Sequence, residues 1–394
     1  MDQVLAGVRV LDYGRFIAAP WCSAILADMG AEVIRVEKRA GGEDRWVQAV
    51  TDGGEGGTFL QCNRNKRSLT LDSTTPEGAE ITRELVAHTD IVIANMPDRA
   101  MRASGLDYET LRAIKPDIIL ASATAYGEGG PNSDLIGFDG TGQVLSGAVY
   151  RQGLPDLPIR TVVPYADFGT AMTMAVGVMM AMYHRQATGQ GQHVEAALLP
   201  TCLMMSNAML IERDLLQVDK PRMGNRGASV APCDLYRVDD GWVLLQIAGQ
   251  PMFERWCRLV DRLDLFDDPR FADDDLRWEH GDLLNDLTQA WCDGKTKAEV
   301  MALLVAAKLP AAPLASPQDV LDDPHVEAMG YLQRVPFPGA SRDVPIIETP
   351  FRMSATPGTI RRRAPLLGEH TDEVLAEIGY APDQIAGLRA RQIV

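Results

Sequence analysis

One aspartate, Asp167, stands at the head of a long apolar segment, in the run Tyr165-Ala166-Asp167-Phe168-Gly169. The apolar residues that follow predict a helix from Phe168 to Arg185, with Asp167 at its N-cap. A helix N-terminus favours an anion by roughly 0.3–1 kcal/mol, which would keep this carboxylate ionised at neutral pH. A carboxylate that is positioned, ionised and kept dry can act as a nucleophile. The competing reading is an ordinary aspartate N-cap. Two basic groups accompany it. Lys38 and Arg39 follow the run Glu32–Glu37 and read as counter-charge for an anionic ligand or as a solvated surface pair. Arg64, Lys66 and Arg67 read equally as ligand-facing residues or as a solvated loop.

Other chemistries find little support. The six cysteines (Cys22, Cys62, Cys202, Cys233, Cys257, Cys292) are scattered, with no CxxC pair and no metal-ligand spacing. Reduced thiols and a cytoplasmic location are therefore expected, and no metal. The turn Tyr13-Gly14-Arg15-Phe16-Ile17-Ala18 lacks the GxGxxG fingerprint, which argues against NAD. The 394 residues carry a formal charge of −16, which argues against a general nucleic-acid or anionic-membrane surface. An anionic ligand must instead meet a local basic patch. The N-terminal run does not read as a signal peptide. Thr170–Tyr183 is too short to span a bilayer and reads as a buried helix.

The elements that must position these residues follow from the pattern of apolar runs. Val8–Asp12, Glu32–Glu37, Ser68–Asp72, Ile91–Asn95 and Asp117–Ala123 read as strands. Helices are expected at Pro20–Gly30, from Pro76 onward and at Tyr108–Ile114. Alternation of this kind predicts an α/β fold with a parallel sheet, whose ligands bind outside the carboxyl ends of the strands. His193–Leu199 reads as a further strand or a helix start. A polar stretch from Gln217 to Ala228 marks a linker into a second domain. That domain opens with a hairpin, Cys233–Ile247, turning at Asp239-Asp240-Gly241. Helices follow near Met252–Val260, Trp278–Trp291, Lys297–Lys308, Pro317–Met329 and His370–Ile378. The expected boundaries are 1–216 for a large domain, 217–330 for a smaller α+β one, and 331–394 for a segment returning to the first.

In this order the chain resembles the class III CoA-transferases, the family of formyl-CoA and carnitine CoA-transferases that also contains 2-methylacyl-CoA racemases. The resemblance rests on LAGVRVLDYGRFIAAPWCSAILADMGAEVIRVEKRAGGEDRW, NRNKRSLTLD, ADFGTAMTMAVGVMMAMYHRQATGQGQHVEAAL, GNRGASVAPCDLYRVDDGW, LPAAPLASPQDVLDDPHV and RAPLLGEHTDEVLAEIG. It implies a Rossmann-like large domain, an interlocked homodimer, and acyl-CoA and a carboxylic acid as substrates. By the same resemblance Asp167 is the nucleophile, passing through an aspartyl mixed anhydride and an aspartyl-CoA thioester. CoA contacts are implied at Phe16, Ile17 and Ala18; at Lys38 and Arg39; at Leu71, Asp72, Ser73 and Thr74; at Asn95, Met96 and Pro97; and at Ile136, Gly137, Phe138 and Asp139. Ala248, Gly249 and Gln250 match a segment over the active site. There are departures. Ala103 stands where the family usually has an arginine, with Arg102 one place earlier, and Met96 stands where some members have lysine.

Racemisation would need a second acid/base group on the opposite face of the α-carbon. Racemases supply it as histidine in a Gly-His-Asp triplet, and here the triplet is Gly137-Phe138-Asp139. His184 and His193, which flank Thr188–Gln192, read as surface or structural residues. A non-catalytic acyl-CoA-binding protein would need the fold without Asp167.

Overall fold

The computed structural model describes residues 3–394. They form two compact units. The larger comprises residues up to Val149, Arg160–Asp219 and Ala328–Val394; the smaller comprises Tyr150–Ile159 and Lys220–Glu327. The smaller unit thus takes in a short segment that the sequence boundaries place in the large domain.

The large unit is built on six parallel strands: β1 (Arg9–Asp12), β2 (Glu32–Glu37), β3 (Lys66–Thr70), β4 (Ile91–Ala94), β5 (Ile119–Thr124) and β6 (His193–Ala197). Their order is β3-β2-β1-β4-β5-β6, so the direction of winding reverses between β1 and β4. Open sheets bind ligands at such a reversal, beyond the strand carboxyl ends. Both faces of the sheet are covered, because side chains alternate along a strand. Val10, Val33, Ile91, Ile93, Ile119 and Ala121 pack with helix α1 (Ala18–Asp28) and with Ala171, Met174, Val178 and Ala181 of a long helix. Leu11, Ile34, Val92 and Leu120 pack on the other face with Ile81, Leu85, Val374, Leu375, Ile385 and Leu388. Residues beyond 370 therefore complete the core of a sheet that begins at residue 9.

Three further helices frame the carboxyl ends: α2 (Asp139–Leu145), α3 (Tyr165–Thr188) and α4 (Leu198–Leu216). α3 starts three residues before the expected position, with Pro164 as its N-cap. It stops at Gly189, whose φ of 73° is the left-handed conformation glycine adopts without strain. The expectation that this helix is buried holds for one face only. Met172, Val176, Met179, Met180 and Tyr183 are exposed, as are Met204, Met205, Ile211, Leu215 and Leu216 on α4. His193–Leu199 resolves into the end of the sheet and the start of α4. The full length of α4 escapes the sequence pattern because its apolar residues do not form one face.

In the small unit, strands Cys233–Val238 and Gly241–Gln246 form the expected hairpin, joined by Ala311–Pro313. Two of the expected helices are each split. Asp274–Glu279 and Gly281–Cys292 break at His280, and Pro317–Leu321 and Pro324–Ala328 break before Pro324, whose ring disfavours helix continuation. Among the described residues no helix is long and apolar enough to cross a membrane.

Candidate active site

Asp167 is the third residue of α3, not its N-cap. The α3 N-terminus is instead satisfied from a distance. The Ala166 and Asp167 N–H groups both donate to Oδ1 of Asp139, at 2.8 and 3.2 Å, across 27 and 28 residues of sequence. Asp139 is buried, and its other carboxylate oxygen accepts from the Gln143 amide. The backbone donors that would have stabilised an Asp167 anion are thus already committed to another carboxylate. The effect on Asp167 is the opposite of the expectation. Burial first, and the neighbouring Asp139 charge second, push its carboxyl up to about 7. Protonated and ionised forms are therefore close to balanced near neutral pH.

Asp167 lines a cleft of about 180 Å³ with Phe16, Ala18, Asn95, Met96, Pro97, Ile136, Gly137 and Phe138. The structure brings together these nine residues, which the sequence reading names separately. Ala123, Leu198 and Leu135 add apolar wall. Phe16 and Phe138 meet edge to face, with centroids 5.6 Å apart. Phe16 has a φ of 61°, a left-handed conformation that costs a non-glycine residue roughly 1–2 kcal/mol. Its turn is held firmly enough to sustain that. Asp12 accepts from the Gly14 N–H at 2.7 Å, Arg35 donates to the Gly14 carbonyl at 3.1 Å, and the Asn95 amide binds both backbone groups of Arg15. Asn95 accepts from the Arg15 N–H at 2.8 Å and donates to its carbonyl at 2.7 Å. Its side chain thus braces the loop.

A second cleft, of about 440 Å³, gathers Lys38, Arg39, Leu71, Asp72, Ser73 and Thr74. Arg15 and Met96 border both clefts, which are therefore adjacent. Three predicted contacts lie elsewhere. Ile17 points into the core beside α1. Arg102 is exposed and paired with Asp98 at 2.8 Å. Asp139 serves the α3 cap.

The cluster at 64–67 is neither ligand-facing nor solvated. Arg64 pairs with Asp28 at 2.6 Å, Lys66 with Asp12 at 2.7 Å, and Arg67 with Glu32, Glu373 and Glu377. Arg64 and Lys66 are fully buried. Burial alone would raise the Asp12 carboxyl, but Lys66 and Arg35 hold it below its ordinary value. Lys66 also reaches the Pro20 carbonyl and Asn63, so this buried network fixes the strand ends from beneath. His193 bonds Ser122 at 2.7 Å and stacks on Tyr108, a structural role.

The remaining named segment, Ala248–Gln250, belongs to the small unit. Gly249 caps the helix Gln250–Leu259 there, and its N–H donates to the Asp274 carboxylate at 3.0 Å. No described cluster of histidine, cysteine and carboxylate residues has the arrangement of a metal site.

A family model described as CoA-transferase family III matches residues 5–371. The chain belongs to this family. It is 34% identical to a succinyl-CoA–L-malate CoA-transferase beta subunit of Chloroflexus aurantiacus, covering 99% of this chain and 98% of that protein. It is 33% identical to a succinate–glutarate CoA-transferase of Agrobacterium fabrum, over 95% of each chain. A crystal structure of a CaiB/BaiF family protein from Brucella suis superposes with a TM-score of 0.84 at 31% identity, covering 96% of this chain and all of that one. The chain is thus a family III CoA-transferase, moving CoA from an acyl thioester to a free carboxylic acid. Two features of this cleft were not singled out in the sequence. The capping of α3 by Asp139 is a long-range contact, and Arg15 sits in a turn whose shape only the fold defines.

Proposed function

We propose that this transferase takes CoA from a dicarboxylic acyl thioester of the succinyl type and delivers it to a second carboxylic acid by way of Asp167. The observation that carries the reading is the placement of Asp167. Among the described residues it is the one carboxylate lining a small, mostly apolar cleft at the strand ends, next to a larger cleft bearing Lys38 and Arg39. CoA lies along the larger cleft, its phosphates countered by the two cations, and its thioester enters beside Asp167. The donor class is taken from the relatives, several of which are named for succinyl-CoA.

An Asp167 oxygen attacks the thioester carbonyl; the C–S bond breaks, leaving a mixed anhydride and CoA thiolate. The thiolate attacks the aspartyl carbonyl, releasing the first acid and forming an aspartyl-CoA thioester. The acceptor carboxylate attacks that thioester and displaces the thiolate again. Thiolate attack on the acceptor's acyl carbonyl yields the new thioester and restores Asp167. The apolar walls keep water from the anhydride. Phe138 lines the cleft at the position where a racemase needs a proton-carrying base, which favours transfer over racemisation. The exposed apolar faces of α3 and α4 exceed what an isolated subunit would leave uncovered, and support a homodimer, interlocked as the family resemblance implies. A Rossmann-like CoA-binding domain, a separate small domain and a cytoplasmic location complete the proposal.

The test uses purified protein in D2O with succinyl-CoA, a 2-methylacyl-CoA and isotopically labelled free acids. Mass spectrometry is expected to find CoA on the labelled acids and no deuterium at the α-carbon. An intact-protein adduct on Asp167, absent from Asp167→Asn, would accompany it. Deuterium uptake without CoA transfer would overturn the proposal.

A further inference from the structure

A dicarboxylic acyl group presents a second, non-reacting carboxylate, and the cleft that receives it is mostly apolar. Leaving that anion unpaired there would cost several kcal/mol. Among the described residues lining the Asp167 cleft, Arg15 is the one cation. Its neighbours in polarity are Thr124, Ser133 and Asn95, and both ends of the Asn95 amide are already engaged with the Arg15 backbone.

Resting on the proposed function above, we infer that Arg15 determines specificity by binding the non-reacting carboxylate of the acyl group. Its construction suits that task. The backbone is immobilised on three sides, by Asp12 and Arg35 at Gly14 and by Asn95 at Arg15 itself. Asp12 and Arg35 are themselves locked in the buried network, so the base of the side chain cannot drift. The guanidinium, by contrast, is held among the described residues only by Glu43, at 2.7 Å, and Glu43 is 68% exposed. An exposed pair of this kind contributes about 0–1 kcal/mol. A substrate carboxylate in a drier cleft offers a stronger, two-pronged partner for the planar guanidinium. Substrate binding therefore exchanges one carboxylate for another on a side chain whose root does not move. Glu43 acts as a stand-in that keeps the cation poised when the cleft is empty. The cleft's size fits this reading: about 180 Å³ is well below the roughly 300–1,000 Å³ of pockets for drug-sized ligands.

The experiment measures kcat/KM for succinyl-CoA and for butyryl-CoA, which differ in the distal carboxylate, with the full-length protein. Calorimetric titration with free succinate and free butyrate runs in parallel. Loss of hydrogen bonds to a charged group predicts that Arg15→Ala lowers the succinyl-to-butyryl selectivity roughly 10- to 100-fold. Arg15→Lys should restore part of it, and Glu43→Gln should tighten succinate binding a few-fold by removing the competitor. An equal loss on both thioesters would overturn the inference, because it would place Arg15 on CoA itself. Unchanged selectivity in Arg15→Ala would overturn it as well. The two proposals fail separately. Arg15-dependent succinate binding in a protein that transfers CoA to no acid would sink the transfer mechanism alone, whereas transfer with Arg15-independent selectivity would sink this inference alone.

Discussion

Replacing Asp139 by asparagine isolates the electrostatic part of the site from its geometry. The Asp139 Oδ1 atom accepts from the Ala166 and Asp167 N–H groups, and an asparagine carbonyl can accept the same two bonds. On the other side, Gln143 now donates to Asp139, and the Gln143 Oε1 atom is buried without a partner. Rotating that amide lets Oε1 accept from the new asparagine NH2, at the expense of the 3.4 Å contact from Gln143 Nε2 to the Val163 carbonyl, so the substitution keeps the cap. What it removes is one negative charge. Asp167 stands at about 7 against an ordinary 3.8, and burial is the larger cause, Asp139 the smaller. Asp139→Asn should therefore lower the Asp167 carboxyl from about 7 while leaving it above its ordinary 3.8, because burial remains. If the anion is the reacting form, the acid limb of kcat/KM against pH moves down with it. At pH 6 about one-tenth of the parent's Asp167 is ionised, so kcat/KM should rise there, by at most about tenfold. At pH 8.5, where both proteins are ionised, the two rates should agree within about twofold. An acid limb that stays near 7 would refute the assignment of Asp139 as the perturbing charge. A uniform loss at every pH would show that the cap geometry, and not the charge, is what Asp139 provides.

Two further outcomes concern stability. The folded protein retains a proton on Asp167 between the unfolded value, near 4, and about 7, so ionising it costs stability as pH rises through that window. Asp167→Asn should accordingly melt higher than the parent at pH 8, with a gap that grows from pH 4 to pH 7 and corresponds to at most about 4 kcal/mol; a pH-independent gap would contradict this. Lys66→Met leaves Asp12 buried without its cation and should cost about 3–5 kcal/mol in urea unfolding, whereas a loss under about 1 kcal/mol would show that Arg35 alone suffices.

The parts of the fold that were legible in the sequence are those encoded locally. Glu32–Glu37 and Tyr108–Ile114 match the expected bounds because each apolar run is bracketed by its own stop signals. The strand ends then pointed to the turns holding Phe16 and Asn95, since an open parallel sheet places its ligands there, whereas Phe138 came from the family resemblance. What stayed hidden depends on contacts across long sequence separations. Arg64 and Asp28 are 36 positions apart and Arg67 and Glu377 are 310 apart, so no local pattern could tell an internal ion pair from a solvated cation. The ionisation of Asp167 was misjudged for the same reason. The helix field is visible in the sequence, but the carboxylate that consumes it arrives from α2.

The covering of one sheet face by residues beyond 370 sets an order of events during synthesis. Residues 220–327 of the small unit leave the ribosome as one continuous stretch carrying nearly all of its own core, and can condense as soon as they emerge. The six-stranded sheet is translated earlier, yet it must wait for Val374, Leu375, Ile385 and Leu388 before its second face is closed. At about 5–20 residues per second, residues 328–394 take on the order of several seconds to make. Throughout that interval the nascent sheet exposes Leu11, Ile34, Val92 and Leu120 on an incompletely covered surface. Slowed elongation between residues 328 and 388 should therefore lower the yield of native enzyme more than equal slowing between residues 9 and 69, with chaperone demand lasting until Leu388 emerges.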